Sequence, residues 1–170
     1  MDGIDPNKLW QNFVDTVSNH YSDFNGRVGR GQFWYFVLVY FVVGILVSIV
    51  DSMSFHGGLR ALYSLALFLP TVGLTTRRLH DTGRPGAWAW LLAVPLVASV
   101  LTGIFAIITI LTLGIGAILF VLTPFLALAS LAAIVVLVYY CAQPGQSEAN
   151  SFGPVPPAWT PGSAPQAPTP

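Results

Sequence analysis

Arg77-Arg78-Leu79-His80-Asp81-Thr82-Gly83-Arg84 is the stretch on which the reading of this chain turns. It is the only dense cluster of charge between Phe33 and Tyr140, and apolar runs flank it, 61–75 before and 88–140 after. A charged segment in that setting reads as a short polar loop between two membrane spans. Its three arginines assign it to the cytoplasmic side, because Lys and Arg in short loops are retained there.

Composition supports a membrane setting. Of 170 residues, 54% are hydrophobic and only 8% charged, against about a quarter charged in soluble domains. So little charge cannot cover a water-facing surface, and lipid must cover part of it. Seven basic and seven acidic residues balance, which gives no support to a nucleic-acid partner. Cys141 is the only cysteine, so no intrachain disulfide or cysteine zinc cluster forms. The N-terminus carries acid where a signal peptide needs a basic region, and the first span is expected to act as its own insertion signal.

Residues 1–24 are read as an amphipathic helix in the headgroup layer, with a helix packed on the protein's own cytoplasmic face as the alternative. Asp5 is its cap and Pro6 its first residue. Leu9, Phe13 and Val17 recur every four residues, widened by Trp10, Val14 and Tyr21, while Asn12, Asp15 and Ser18 fill the polar face. Residues 25–154 form the transmembrane domain. A first span is expected near 32–50, led by the aromatic belt Phe33 to Phe36 and ended by Asp51. A loop with His56 follows, then a second span near 59–76. Pro70 in that span frees a carbonyl one turn back, which in lipid must find another donor. Residues 88–140 would stretch roughly 80 Å as one helix, against a core near 30 Å. They are expected to fold back at Gly114 and Gly116 into spans near 88–113 and 116–140, each carrying a proline, Pro95 and Pro124. Three shorter spans are the alternative. Residues 155–170, rich in proline, read as a disordered tail with polyproline character.

The predicted fold is therefore an all-α, four-helix transmembrane bundle with an interfacial helix and a Pro-rich tail. Four spans bring both termini to the cytoplasm. Arg27, Arg30, Arg77, Arg78 and Arg84 then lie inside and only Arg60 outside. The same parity brings Asn150-Ser151-Phe152-Gly153-Pro154 to the face that holds the central motif.

Three segments carry a resemblance: Phe24, Gly26, Arg27, Arg30 and Trp34; Arg77 to Gly83; and Asn150, Phe152, Gly153 and Pro154. Together they resemble the YhaH-type family of small bacterial inner-membrane proteins, domain of unknown function 805, over roughly 21–157. The final apolar region of 53 residues is longer here than the family pattern. The resemblance implies an inner-membrane location and brings no activity with it.

The candidate site is the cluster Arg27, Arg30, Arg77, Arg78, His80, Asp81, Arg84, Asn150, Phe152 and Gly153. Asp81 among arginines is expected to be ionised and to tie Arg27 or Arg30 to its own segment. Arginine exceeds Asp23 and Asp81, so the surplus is assigned to an anionic phospholipid headgroup. A protein partner or a homo-oligomer is the other candidate. His80 reads as a hydrogen-bonded structural histidine, and no ligand set has metal spacing. No cofactor is expected. The chain reads as a non-catalytic binding or scaffold protein. The alternatives are a small channel or transporter component, suggested by the prolines, and a membrane enzyme using His80 and Asp81.

Overall fold

The computed structural model describes residues 6–54, 58–112 and 115–157. The expected cap Asp5, the outer-loop His56, the turn residue Gly114 and the tail from 158 onward lie outside the described residues. Among the described residues the chain is helical and forms no strand; one isolated bridge joins Asn150 and Gly153.

Five α-helices follow in order: α1 Pro6–Ser18, α2 Arg30–Ser54, α3 Gly58–Asp81, α4 Ala93–Leu111 and α5 Thr123–Ala142. A 3₁₀ segment leads into each of the last two, Gly86–Leu92 before α4 and Ile115–Leu122 before α5. Among the described residues, four helical stretches are long and apolar enough to cross a membrane: Arg30–Met53, Gly58–Asp81, Gly86–Leu111 and Leu119–Ala142.

The chain divides into two compact units. The first consists of α1, α2, α3 and the segment that follows α5; the second consists of α4 and α5 with their 3₁₀ leads. In the second unit the small or slender residues Ala98, Ala133, Leu137 and Cys141 are buried, and Trp88 meets the Tyr140 ring edge-on at 5.3 Å.

Two expectations about the helices change, at the charged stretch and at Asp51. The charged stretch from Arg77 is not a loop: α3 runs through Asp81. At 1.5 Å per residue its 24 residues reach roughly 36 Å, beyond a core near 30 Å, so its last turn has length to spare. Arg77 and Arg78 are buried there, at 6% and 0% exposure. Pro95 and Pro124 each sit in the first turn of their α-helix, next to the 3₁₀ segment that leads into it; in a first turn a missing N–H has no α-helical partner to lose. Asp51, expected to end the first span, lies inside α2. It is buried, and its Oδ1 accepts the Leu59 N–H at 2.8 Å, capping the start of α3 across the hairpin.

Pro70 is inside α3, and the carbonyl it frees is that of Ala66. The Tyr21 hydroxyl donates to that oxygen at 2.8 Å. A residue just past α1 therefore supplies the donor that lipid cannot. α1 packs on α2 and α3. Phe13 stacks on Phe36 with centroids 5.2 Å apart, and Asn12 Nδ2 donates to the Gln32 carbonyl at 3.1 Å. Asn12 and Thr16 are thus buried, although sequence pattern placed Asn12 on the outer face. Trp10 and Val14 remain exposed.

Candidate functional site

The end of α3 is shaped by its own sequence. After Asp81, Gly83 takes φ +75°, its N–H donates to the His80 carbonyl at 3.0 Å, and the Arg84 N–H reaches the Leu79 carbonyl at 2.9 Å. This pair of bonds closes a helix with a left-handed glycine and satisfies carbonyls that would otherwise be orphaned. The last turn carries Arg77, Arg78, His80 and Asp81 in directions fixed by the helix, and other segments fold onto them.

Asp81 is 3% exposed. Its Oδ1 accepts from Arg27 Nε at 3.1 Å and Nη2 at 2.9 Å, and its Oδ2 accepts from Arg78 Nη1. A carboxylate at a helix C-terminus is opposed by the helix dipole; two guanidinium groups offset that here. Both arginine side chains are almost wholly buried, at 1% and 0% exposure.

Arg27 comes from the turn before α2, and its remaining contacts run to the segment after α5. Nη2 donates to the Gln146 carbonyl at 2.6 Å, and Nη1 to the carbonyls of Glu148 at 2.7 Å and Gly153 at 3.4 Å. Together with the two bonds to Asp81 this makes five contacts, matching the five N–H groups of a guanidinium. Arg78 Nη2 donates to the Gln143 carbonyl and Nη1 approaches the Val28 carbonyl at 3.4 Å. The Gln146 N–H donates to the Asp81 carbonyl at 2.8 Å, so the same segment is bound in both directions. Two guanidinium groups share one carboxylate, and main-chain carbonyls take up the excess hydrogen-bonding capacity.

Gly145 shows how close the approach is. A Cβ on it would lie 2.1 Å from Asp81 Oδ2. Only glycine fits against a carboxylate held by two arginines.

His80 is a second anchor for this segment. A carbonyl accepts only, so His80 Nδ1–H donates to the Gly26 oxygen at 3.2 Å, which places a ring proton on Nδ1. The ring lies flat on Phe152, centroids 4.0 Å apart and planes 3° off parallel. Asn150 Nδ2 donates to the His80 carbonyl at 2.9 Å and to Gln146 Oε1 at 2.7 Å, while its Oδ1 accepts the Phe152 N–H at 2.9 Å. Bonds between Asn150 and Gly153 in both directions close the turn that presents Phe152.

Of the predicted cluster, Arg27, Arg78, His80, Asp81, Asn150, Phe152 and Gly153 thus meet in one place. Arg30 does not join them: it is exposed at the start of α2, and the Asp81 tie goes to Arg27. Arg77 turns to Asp23, with Nη1 3.7 Å from Oδ2. Its Nε and Nη2 are buried without a hydrogen-bond partner among the described residues. Arg84 lies just past the helix end and its N–H helps to close it. Sequence reasoning missed Gln143, Gly145, Gln146 and Glu148, three of which contribute through main-chain carbonyls that no side-chain pattern reveals. Among the described residues no three His, Cys, Asp or Glu side chains converge as a metal site would require.

Comparison with known proteins fits this architecture. Residues 21–154 match the family described as "Protein of unknown function (DUF805)". Inner membrane protein YhaI of Escherichia coli strain K12 is 40% identical over 87 residues, which cover 48% of this chain and 71% of that protein. Inner membrane protein YhaH of the same strain is 32% identical over 95 residues, covering 52% and 78%. No solved structure matches. The matched region runs from Tyr21, the donor to the Ala66 carbonyl, to Pro154, next to the Gly153 carbonyl that Arg27 holds, and the chain belongs to the DUF805 family.

Proposed function

We infer that this chain is a non-catalytic scaffold of the bacterial inner membrane, in which a buried Arg27–Asp81–Arg78 clasp fixes residues 143–154 onto the α2–α3 hairpin. The clasped end faces the cytoplasm, with five of the six arginines on that side and only Arg60 on the other. The held segment and α1 form the surface offered to a partner protein, and exposed Trp10 and Val14 on α1 suit the headgroup layer.

The observation that carries this reading is Arg27. Its contacts within the chain account for every donor it has, so it is occupied as a structural cross-link and keeps none for a substrate. The same accounting applies to Asp81: both carboxylate oxygens accept from arginines, and a general base needs a free acceptor within reach of a proton to abstract. His80 is held in place by the Phe152 ring and the Gly26 carbonyl. The anionic-headgroup reading narrows to Arg30, the exposed guanidinium of the group.

The test is access to the clasped segment. Ser151→Cys is reacted with a membrane-impermeant maleimide in inverted and right-side-out vesicles; the protein's own Cys141 is buried. Ser151 is exposed, so the label reports the side and is expected only from the cytoplasmic side; release of the segment is read by proteolysis within 143–154, expected to be faster with Asp81→Asn. Labelling from the outer side, or equal proteolysis of the two proteins, would refute the reading.

A further inference from the structure

At the other end of the α2–α3 hairpin the polar side chains are not scattered. Tyr40, Ser48, Ser52, Arg60, Tyr63 and Ser64 all line one groove of about 460 Å³, a size within the range of ligand sites. On α2 the spacing is four residues, Tyr40-Gly44-Ser48-Ser52, which is one helix face. Small residues along that stripe leave the space. Its outer wall is apolar and exposed: Phe41, Ile45 and Ile49.

The hydrogen-bond inventory says what the groove lacks. Three hydroxyls already donate to main-chain carbonyls: Ser48 to Gly44 at 2.8 Å, Ser52 to Ile49 at 2.7 Å and Tyr63 to Tyr40 at 2.7 Å. Arg60 is exposed at the groove's end near the start of α3, with no ion pair among the described residues. A cation beside hydrocarbon needs an anion or the headgroup layer. An occupant must therefore be anionic at Arg60 and apolar against Phe41, Ile45 and Ile49.

We propose that this groove is a binding site for one glycerophospholipid, its phosphate on the Arg60 guanidinium and one acyl chain along the α2 face between Phe41 and Ile49. The site is separate from the clasp, and uses none of its residues. Charge complementarity selects the lipid over a second copy of the chain, because no surface carboxylate is needed to meet Arg60 when the bilayer supplies phosphate at that depth.

The experiment uses the full chain in phosphatidylcholine vesicles doped with phosphatidylglycerol that carries a diazirine in one acyl chain. After irradiation, adducts are mapped by peptide. They are expected to concentrate on residues 41–52. Ser48→Leu fills the groove without changing charge and should remove that concentration. Arg60→Gln should lower the adduct yield there about fivefold, the contribution of one basic residue near an anionic headgroup. Ser64→Leu, on the facing helix, repeats the test should Ser48→Leu fail to fold. Adducts spread evenly along α2 and α3, a yield indifferent to both leucine variants, or a protein cross-linked to itself through 41–52 would each overturn the proposal.

Discussion

Replacing Asp81 by Asn tests the centre of the structure. The carboxylate is buried between two guanidinium groups that are themselves buried. Removing one partner of a buried ion pair typically costs about 3–5 kcal/mol, because the other charge is stranded. Two pairs are broken here, but they share one carboxylate, so their costs do not add. The asparagine oxygen still accepts one bond, and Arg27 keeps the carbonyls of Gln146, Glu148 and Gly153. These remnants place the expected loss at the lower end, about 3 kcal/mol. For a soluble chain of this length that corresponds to a fall of roughly 6–12 °C in melting temperature. The assay is thermal unfolding in detergent, with a double-mutant cycle against Arg27→Gln. The second substitution should cost far less once the first is made, giving a coupling above about 1.5 kcal/mol. A loss under about 1 kcal/mol with additive single effects would mean that Asp81 is solvated and that the clasp does not hold.

Three further outcomes follow from local geometry. Gly145→Ala should detach residues 143–154, because its Cβ would sit 2.1 Å from an Asp81 oxygen that two arginines prevent from moving; faster proteolysis within that segment is the readout. Tyr21→Phe leaves the Ala66 carbonyl beneath Pro70 without its donor, a loss of about 1–3 kcal/mol that unfolding in detergent would register. Asp51→Ala uncaps α3 at Leu59 and should cost about 1 kcal/mol, largely recovered by Asp51→Asn, which keeps an acceptor at the same place.

Hydropathy made the apolar helices legible, since the bilayer imposes length and composition on every span. Parity made the meeting of three distant motifs legible too, and charge pairing pointed to Asp81 with Arg27. The sequence was silent where main chain does the work. A run of three arginines and one aspartate looks solvated because the compensating groups, the carbonyls of Gln143, Gln146, Glu148 and Gly153, belong to residues chosen for no polar side-chain pattern. Asn12 looked like part of an outer face for a related reason. Thr16 donates to the Asn12 carbonyl at 2.8 Å and Asn12 to Gln32, so both hide their polarity in backbone contacts. The effect of proline depends on register: at Pro70 it frees a carbonyl, while at Pro95 and Pro124 it falls in a first turn, where no α-helical bond is lost.

Arginine in this chain serves two ends that one substitution separates. Orientation depends on positive charge in the nascent segments, before the clasp can close, and acidic neighbours weigh little in it. Burial of Arg27 in the folded protein therefore takes nothing away from its topological signal. The clasp depends instead on donor count and shape. Arg27→Lys keeps the charge but offers three donors where five contacts are made, and a lysine ammonium cannot reproduce the planar fork. The five contacts end on four acceptor atoms, since Asp81 Oδ1 takes two of them, so at least one acceptor then loses its partner, at about 1–3 kcal/mol where it is buried. With Ser151→Cys as reporter of the membrane side, the lysine variant should keep the same side, while proteolysis within 143–154 becomes faster. Proteolysis as slow as with arginine would show that charge alone closes the clasp, and the case from donor count would fail.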